Sequence, residues 1–227
     1  MNSICLDIKN IIQENLSEIL LLRNTKVKKE DDSYVSKGDL LCETLIKNYM
    51  KDNLPDFGLI SEESPESNLE NFKKPNIVIL DPIDGTENFV SGLKEWGVAV
   101  CVYIDGIHQQ SMLALPELDS YMITGDKFEK FESRIAGISS SLTKEDILKL
   151  EPGFEYRIIG CAVYNMYNVI KGSFFSFENP KGAKVWDIIP GLNLALENNL
   201  NVNVNGKEYH GELLEPNKKY RFRITNK

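Results

Sequence analysis

The chain has 227 residues, enough for one large domain or two closely joined halves with a sizeable core. Its 42% hydrophobic and 26% charged content is that of an ordinary globular protein. A net charge of -8, with no cluster of Lys and Arg, argues against a nucleic-acid surface, and an anionic substrate would need positive charge from bound cations.

Residues 3–22 place Ile4, Ile8, Ile11, Ile12, Leu16, Ile19 and Leu20 at helical spacing, which predicts an amphipathic helix. The opening "MNSICLDIKN" mixes acidic and basic residues into its apolar positions and does not read as a secretory signal. The polar segment "RNTKVKKEDDSYVSKGD" is a loop or a loose hairpin. A second helix, with Leu40, Leu41, Leu45, Ile46 and Tyr49 on one face, is stopped by Pro55. "FGLIS" is a short strand ending at Glu62-Glu63. "PNIVILD" reads as a buried strand that leads into "DPIDGTENF". "WGVAVCVYIDGIHQQSMLAL" is a hairpin turned at Asp105-Gly106, and "DSYMIT" adds another strand.

From about residue 133 the pattern alternates: strand "RIAGIS", helix 143–150, strand "YRIIG", helix 161–171, strand "SFFSF", helix 186–198, then strands "NVNVNG" and "YRFRI". Helices, then strands, then alternating elements predict an α/β (or α+β) fold of stacked layers, with a soft boundary at 128–134 between halves 1–130 and 131–227. Cys5, Cys42, Cys101 and Cys161 show no CxxC spacing and read as buried free thiols, which suits a reducing cytosol. No apolar run approaches the length of a membrane span.

Glu62, Asp81, Asp84 and Asp187 stand at the ends of elements, where side chains can converge. Asp81 and Asp84 are close enough in sequence to repel each other unless positive charge sits between them. Read alone, Asp-Pro-Ile-Asp-Gly is also common turn chemistry, and Asp187 in "KVWDIIPG" is also a good first-turn residue for the helix it opens. Read together, four carboxylates balance two Mg²⁺ ions, and hard cations take such oxygen ligands. A two-metal site activates water for in-line displacement at phosphorus. Gly85-Thr86, at the start of a helical turn, then offers backbone N–H groups to a phosphate. The Thr86 hydroxyl adds a contact for the attacking water. Rival phosphatase chemistries lack their residues: no Cys is followed six positions later by Arg, and no D-x-D is present.

"GLISEES", "DPIDGTENF" and "KVWDIIPG", in that order, resemble the inositol monophosphatase superfamily over about residues 25–205. The resemblance implies a layered αβαβα sandwich of the sugar-phosphatase type and a lithium-sensitive phosphomonoesterase using two or three Mg²⁺ ions. It implies metal ligands at Glu62, Asp81, Asp84 and Asp187 and at the carbonyl of Ile83. Gly85 and Thr86 match its phosphate contacts, with Asp84 also facing the substrate. "KKEDDSYVSKGD" resembles a further family run and implies that Asp39 and Thr86 activate the water, with Glu62 beside them and Lys29 near. Ala162 falls where the family lines its substrate pocket. Glu178 falls close to where inositol phosphatases place a Glu against a sugar hydroxyl, although its spacing to Asp187 is longer. The helix that usually follows the last strand is missing from this sequence. His108 and His210 read as ordinary surface or hairpin residues.

The implied substrate is a small phosphate ester, an inositol monophosphate or a sugar phosphate. One alternative is a 3'(2'),5'-bisphosphate nucleotidase acting on 3'-phosphoadenosine 5'-phosphate, and another is a catalytically silent regulatory member of the family. The thiols, the net charge and the lack of a long apolar run point to a cytoplasmic protein with no nucleic-acid or membrane partner, and a homodimer is left open.

Overall fold

The computed structural model describes residues 3–28, 34–140 and 142–227. The first helix, α1 (Ile4–Leu21), is capped by Ser3, whose Oγ accepts the Leu6 N–H, and it buries Ile4, Ile8, Ile12 and Ile19. The polar segment after it contributes two short strands that pair antiparallel, β1 (Val27–Lys28) and β2 (Tyr34–Val35), and Lys29 lies outside the described residues. Next come α2 (Lys37–Asn53), β3 (Gly58–Ser61), α3 (Asn68–Asn71), β4 (Asn76–Asp84) and α4 (Thr86–Val90). The long hairpin is β5 (Gly97–Ile104) and β6 (Ile107–Leu115), and β7 (Ser120–Ile123) follows it. Asp105 and Gly106 both take positive φ at its turn, as a tight hairpin requires.

The remaining elements are β8 (Ile135–Ile138), α5 (Lys144–Leu148), β9 (Glu155–Arg157), α6 (Ala162–Ile170), β10 (Ser176–Ala183), α7 (Val185–Glu197), β11 (Asn201–Val204), β12 (Lys207–Glu208) and β13 (Tyr220–Thr225). One sheet has five strands in the order β3-β4-β5-β6-β7, and the other has six in the order β12-β11-β13-β10-β8-β9.

The layers follow from burial. On β5, Val98, Val100 and Val102 face a core shared with α1 and α2, while Ala99, Cys101 and Tyr103 face a second core shared with α6, α7 and the six-stranded sheet. Its run "VAVCVY" is unbroken because both faces are covered. Each fully buried Val of this kind contributes roughly 1.5–3 kcal/mol. On β13 the pattern is one-sided: Tyr220, Phe222 and Ile224 are buried, and Arg221 and Arg223 face outward. All four cysteines are buried free thiols.

Two strands differ from the sequence expectation. Only Tyr156 and Arg157 of "YRIIG" join a strand, β9, and β10 begins at Ser176 within "SFFSF" and continues to Ala183 through Pro180 and Gly182. Those turn-prone residues sit in a bulge, where β10 advances four residues, Asn179 to Ala183, while β13 advances two. No helix among the described residues is long and apolar enough to cross a membrane.

Candidate active site

Asp81 and Asp84 are an odd number of residues apart, which in a regular strand would send their side chains to opposite faces. A bulge corrects this. Between Asp81, opposite Ala99, and Asp84, opposite Gly97, β4 advances three residues while β5 advances two. Pro82 occupies the bulge, where a missing N–H costs little. The two acids therefore share the face that α6 and α7 cover. The close approach leaves no alternative to Gly97, because a Cβ there would sit 2.4 Å from Val163 Cγ1 on α6.

Glu62 follows Ser61, whose partner on β4 is Leu80, and so comes level with Asp81. Asp187 enters from the first turn of α7, where its Oδ2 accepts the Lys184 N–H at 2.8 Å. It serves as a first-turn acid and as a member of the cluster together. One carboxylate oxygen from each of Glu62, Asp81 and Asp187 lies within 4.8 Å of the others. Both oxygens of Asp81 are buried with no hydrogen-bond donor among the described residues. An unpartnered buried carboxylate is costly, and an all-oxygen, anionic donor set fits a hard divalent cation.

Asp84 stands beside this triad and is anchored differently. Its Oδ2 accepts the Cys161 thiol at 3.0 Å and the Val163 N–H at 2.5 Å, at the start of α6. Burial pushes Asp84 up to about 6, opposed by these two donors and reinforced by Glu62. Burial also pushes Asp81 well above the carboxylate range, with Glu62, Asp84 and Asp187 adding to it. Asp187 moves the same way through burial, then Glu62 and Asp84. A cation among these groups would reverse such shifts, because it favours the charged forms.

The turn after β4 completes the arrangement. Gly85 has φ +78°, and a Cβ on it would meet Cys161 Cβ at 2.9 Å, so only glycine suits the position. Thr86 Oγ1 lies 3.1 Å from Asp39 Oδ1 and 3.0 Å from the Ile83 carbonyl oxygen. Its single proton serves one of them at a time, which leaves its lone pairs for another donor. Asp39 is buried at the third position of α2, in a capping box: its Oδ2 accepts the Ser36 N–H at 2.8 Å and the Ser36 hydroxyl at 2.6 Å. Such a cap contributes about 1 kcal/mol to the helix and fixes the carboxylate that Thr86 meets. Burial raises the Asp39 pKa against these hydrogen bonds.

The structure thus brings together Asp39, Glu62, Asp81, Ile83, Asp84, Gly85, Thr86 and Asp187, with Ala162 opening the helix that holds Asp84. It does not bring Glu178 to them. Glu178 pairs in register with Arg223 on the outer face of the six-stranded sheet, and their charged groups are 3.9 Å apart. That face carries a groove of about 420 Å³ lined by Glu178, Asn179, Asn203 and Arg221, with none of the clustered acids. His108 Nε2 meets Ser111 Oγ at 2.8 Å, and His210 is exposed. Sequence reasoning missed the anchoring role of Cys161 and Val163. The available signal was a polar side chain directly before the apolar helix "AVYNMYNVI", the place of an N-cap.

A layered α/β fold with acids converging at strand ends beside a glycine turn makes a candidate divalent-cation site, and comparison narrows it. Residues 2–148 match the model of the inositol monophosphatase family, and the chain belongs to that family. The match covers every clustered residue except Asp187. A histidinol-phosphatase of Chlorobaculum parvum is 34% identical over 90 residues, 40% of this chain and 34% of that one. Inositol monophosphatase 2 of Solanum lycopersicum is 39% identical over 72 residues, 31% of this chain and 26% of that one. The chain thus spans about a third of the length of the curated relatives it matches. The fold is that of a solved IMPase/NADP phosphatase complexed with Mg²⁺ and phosphate, with a TM-score of 0.80 over 99% of this chain and 89% of that one at 21% identity.

Proposed function

We propose that this chain is a Mg²⁺-dependent phosphomonoesterase acting on a small phosphorylated metabolite, an inositol monophosphate or a sugar phosphate. The observation that carries the reading is the convergence of Glu62, Asp81 and Asp187 within 4.8 Å, with Asp84 beside them. In this reading those acids, with the Ile83 carbonyl, hold two or three Mg²⁺ ions. Bound Mg²⁺ would neutralise phosphate oxygens and make water acidic enough to supply a nucleophile at neutral pH.

The chain's own residues do the rest. Thr86 Oγ1 donates to Asp39 Oδ1 and accepts from the attacking water, holding it in line with the phosphorus. Asp39, raised by burial, takes up the proton that the water gives through Thr86. Glu62 orients the same water from the other side. Backbone N–H groups at Gly85 and Thr86 hold the phosphate, and the first turn of α6 at Ala162 lines the leaving group. The likeness to a histidinol-phosphatase adds an amino-alcohol phosphate to the substrates worth testing.

The test is hydrolysis with Mg²⁺ across inositol 1-phosphate, hexose and heptose phosphates, fructose 1,6-bisphosphate, histidinol phosphate and 3'-phosphoadenosine 5'-phosphate. Turnover confined to the last would favour a nucleotidase. No Mg²⁺-dependent turnover on any would remove the enzymatic reading. Inhibition by Li⁺ in the presence of Mg²⁺ is also expected, and rates indifferent to Li⁺ would count against the inositol-phosphatase type of site.

A further inference from the structure

Asp84 is held from behind by a second element, and a cysteine makes part of the grip. Cys161 is 2% exposed and caps α6, its Sγ accepting the Tyr164 N–H at 3.3 Å. With a lone pair committed to the helix, its S–H is directed away, and Asp84 Oδ2 lies 3.0 Å from the sulfur. The same oxygen accepts the Val163 N–H at 2.5 Å. One side of the carboxylate is thus occupied by α6, which leaves Oδ1 as the oxygen for the site. Sulfur is a weak donor, but an ionised acceptor strengthens the bond. Space is limited as well, since a Cβ on Gly85 would come 2.9 Å from Cys161 Cβ, so the cysteine packs against the turn assigned to phosphate.

We propose that Cys161 is a positioning residue for Asp84, its thiol donating to Oδ2 and so leaving Oδ1 to the cation site. The inference rests on the proposed function to the extent that Asp84 is taken as a metal ligand. It gives a thiol a duty that its burial alone does not suggest, and it makes a small donor side chain the requirement at position 161.

Two variants of the full chain separate donation from packing. Cys161→Ala removes the donor and adds no bulk, and Cys161→Ser keeps a donor and a cap acceptor in a similar volume. Mg²⁺ affinity is read by titration calorimetry and by the Mg²⁺-induced rise in Tm, neither of which needs turnover. Groups that hold a metal ligand in place contribute about 10- to 100-fold to affinity or activity. Cys161→Ala is therefore expected to weaken Mg²⁺ about tenfold and to lower kcat by a similar factor, with KM within about twofold. Cys161→Ser is expected to recover most of both.

An Ala variant with the parent's Mg²⁺ affinity overturns the proposal. So does a Ser variant as impaired as Ala, which would mark a packing role. Infrared spectroscopy tests the same contact whether or not the Ala variant folds. The S–H band lost in Cys161→Ser should lie below those of the other thiols and move up in Asp84→Asn, and an unshifted band overturns the proposal. A parent that neither binds Mg²⁺ nor turns over would sink the proposed function, while the infrared arm would still decide the thiol contact.

Discussion

Two bulged strands carry acids in this molecule, and their bulges do opposite things. On β4 one extra residue between Asp81 and Asp84 converts an odd spacing into a shared face, and both acids point at α6 and α7. On β10 two extra residues between Asn179 and Ala183 leave the alternation unchanged, and Glu178 stays on the outer face beside Arg223. An odd insertion redirects a side chain, while an even one only lengthens the path. This second bulge lies between Glu178 and Asp187 and lengthens the path between them by two residues.

The sharpest way to break the comparison is to remove the charge that the β4 bulge redirects. Asp84→Asn should lower Mg²⁺-dependent hydrolysis by several orders of magnitude, because the cation sets both water activation and leaving-group stabilisation. It should also lose most of the Mg²⁺-induced rise in Tm, since stabilisation follows occupancy. Equal metal-induced rises in the two proteins would return "DPIDGT" to being a turn. Thr86→Ala comes next in size. Its kcat should fall about a hundredfold, the scale of a positioned proton transfer, with KM little changed. An unchanged kcat would remove Thr86 and Asp39 from the chemistry.

Much of this was legible in the sequence, for physical reasons. The helices and the doubly covered strands announce themselves through unbroken or periodic apolar runs, as α1 and β5 do. Glu62, Asp81, Asp84, Thr86 and Asp187 stood out because acids and a Gly-Thr pair at element ends are poor core material. The family resemblance supplied the pairing of Asp39 with Thr86, which the structure places at 3.1 Å. The bulges were not legible, since register is a property of two strands at once and Pro180 and Gly182 read as a loop. For the same reason the sequence could not tell that Glu178 faces Arg223, or that Cys161 faces Asp84.

The cluster also predicts how stability should depend on pH. Asp84 has its folded pKa raised to about 6, above an unfolded value of about 3.9. Its contribution is therefore fully present below about pH 4 and is lost as pH rises through about 6. In EDTA the parent should lose on the order of 2 kcal/mol relative to Asp84→Asn between pH 4 and 7 from this group. Asp81 and Asp187, also raised, push the same way. Saturating Mg²⁺ should reverse the trend, because the cation favours the charged forms and stabilises the parent more than a variant that has lost a ligand. Calorimetric melts of both proteins at several pH values test this, and a parent-minus-variant difference that stays flat with pH in EDTA would count against close packing of the acids.

The smallest expected effect belongs to the β10 bulge. Glu178 and Arg223 are both about half exposed, and an ion pair of that kind 3.9 Å apart contributes between roughly 0 and 1 kcal/mol. Glu178 lines a groove that holds none of the clustered acids. Glu178→Gln should accordingly leave kcat and KM within about twofold of the parent on every ester that the parent hydrolyses, the range expected of a surface change away from the site. Its Mg²⁺-induced rise in Tm should equal the parent's. The informative failure is a KM raised tenfold or more on a polyol phosphate with kcat held, since loss of binding alone marks a contact made equally in the ground and transition states. Such a result would place Glu178 against the substrate and overturn the reading that the β10 bulge leaves it on a face without function.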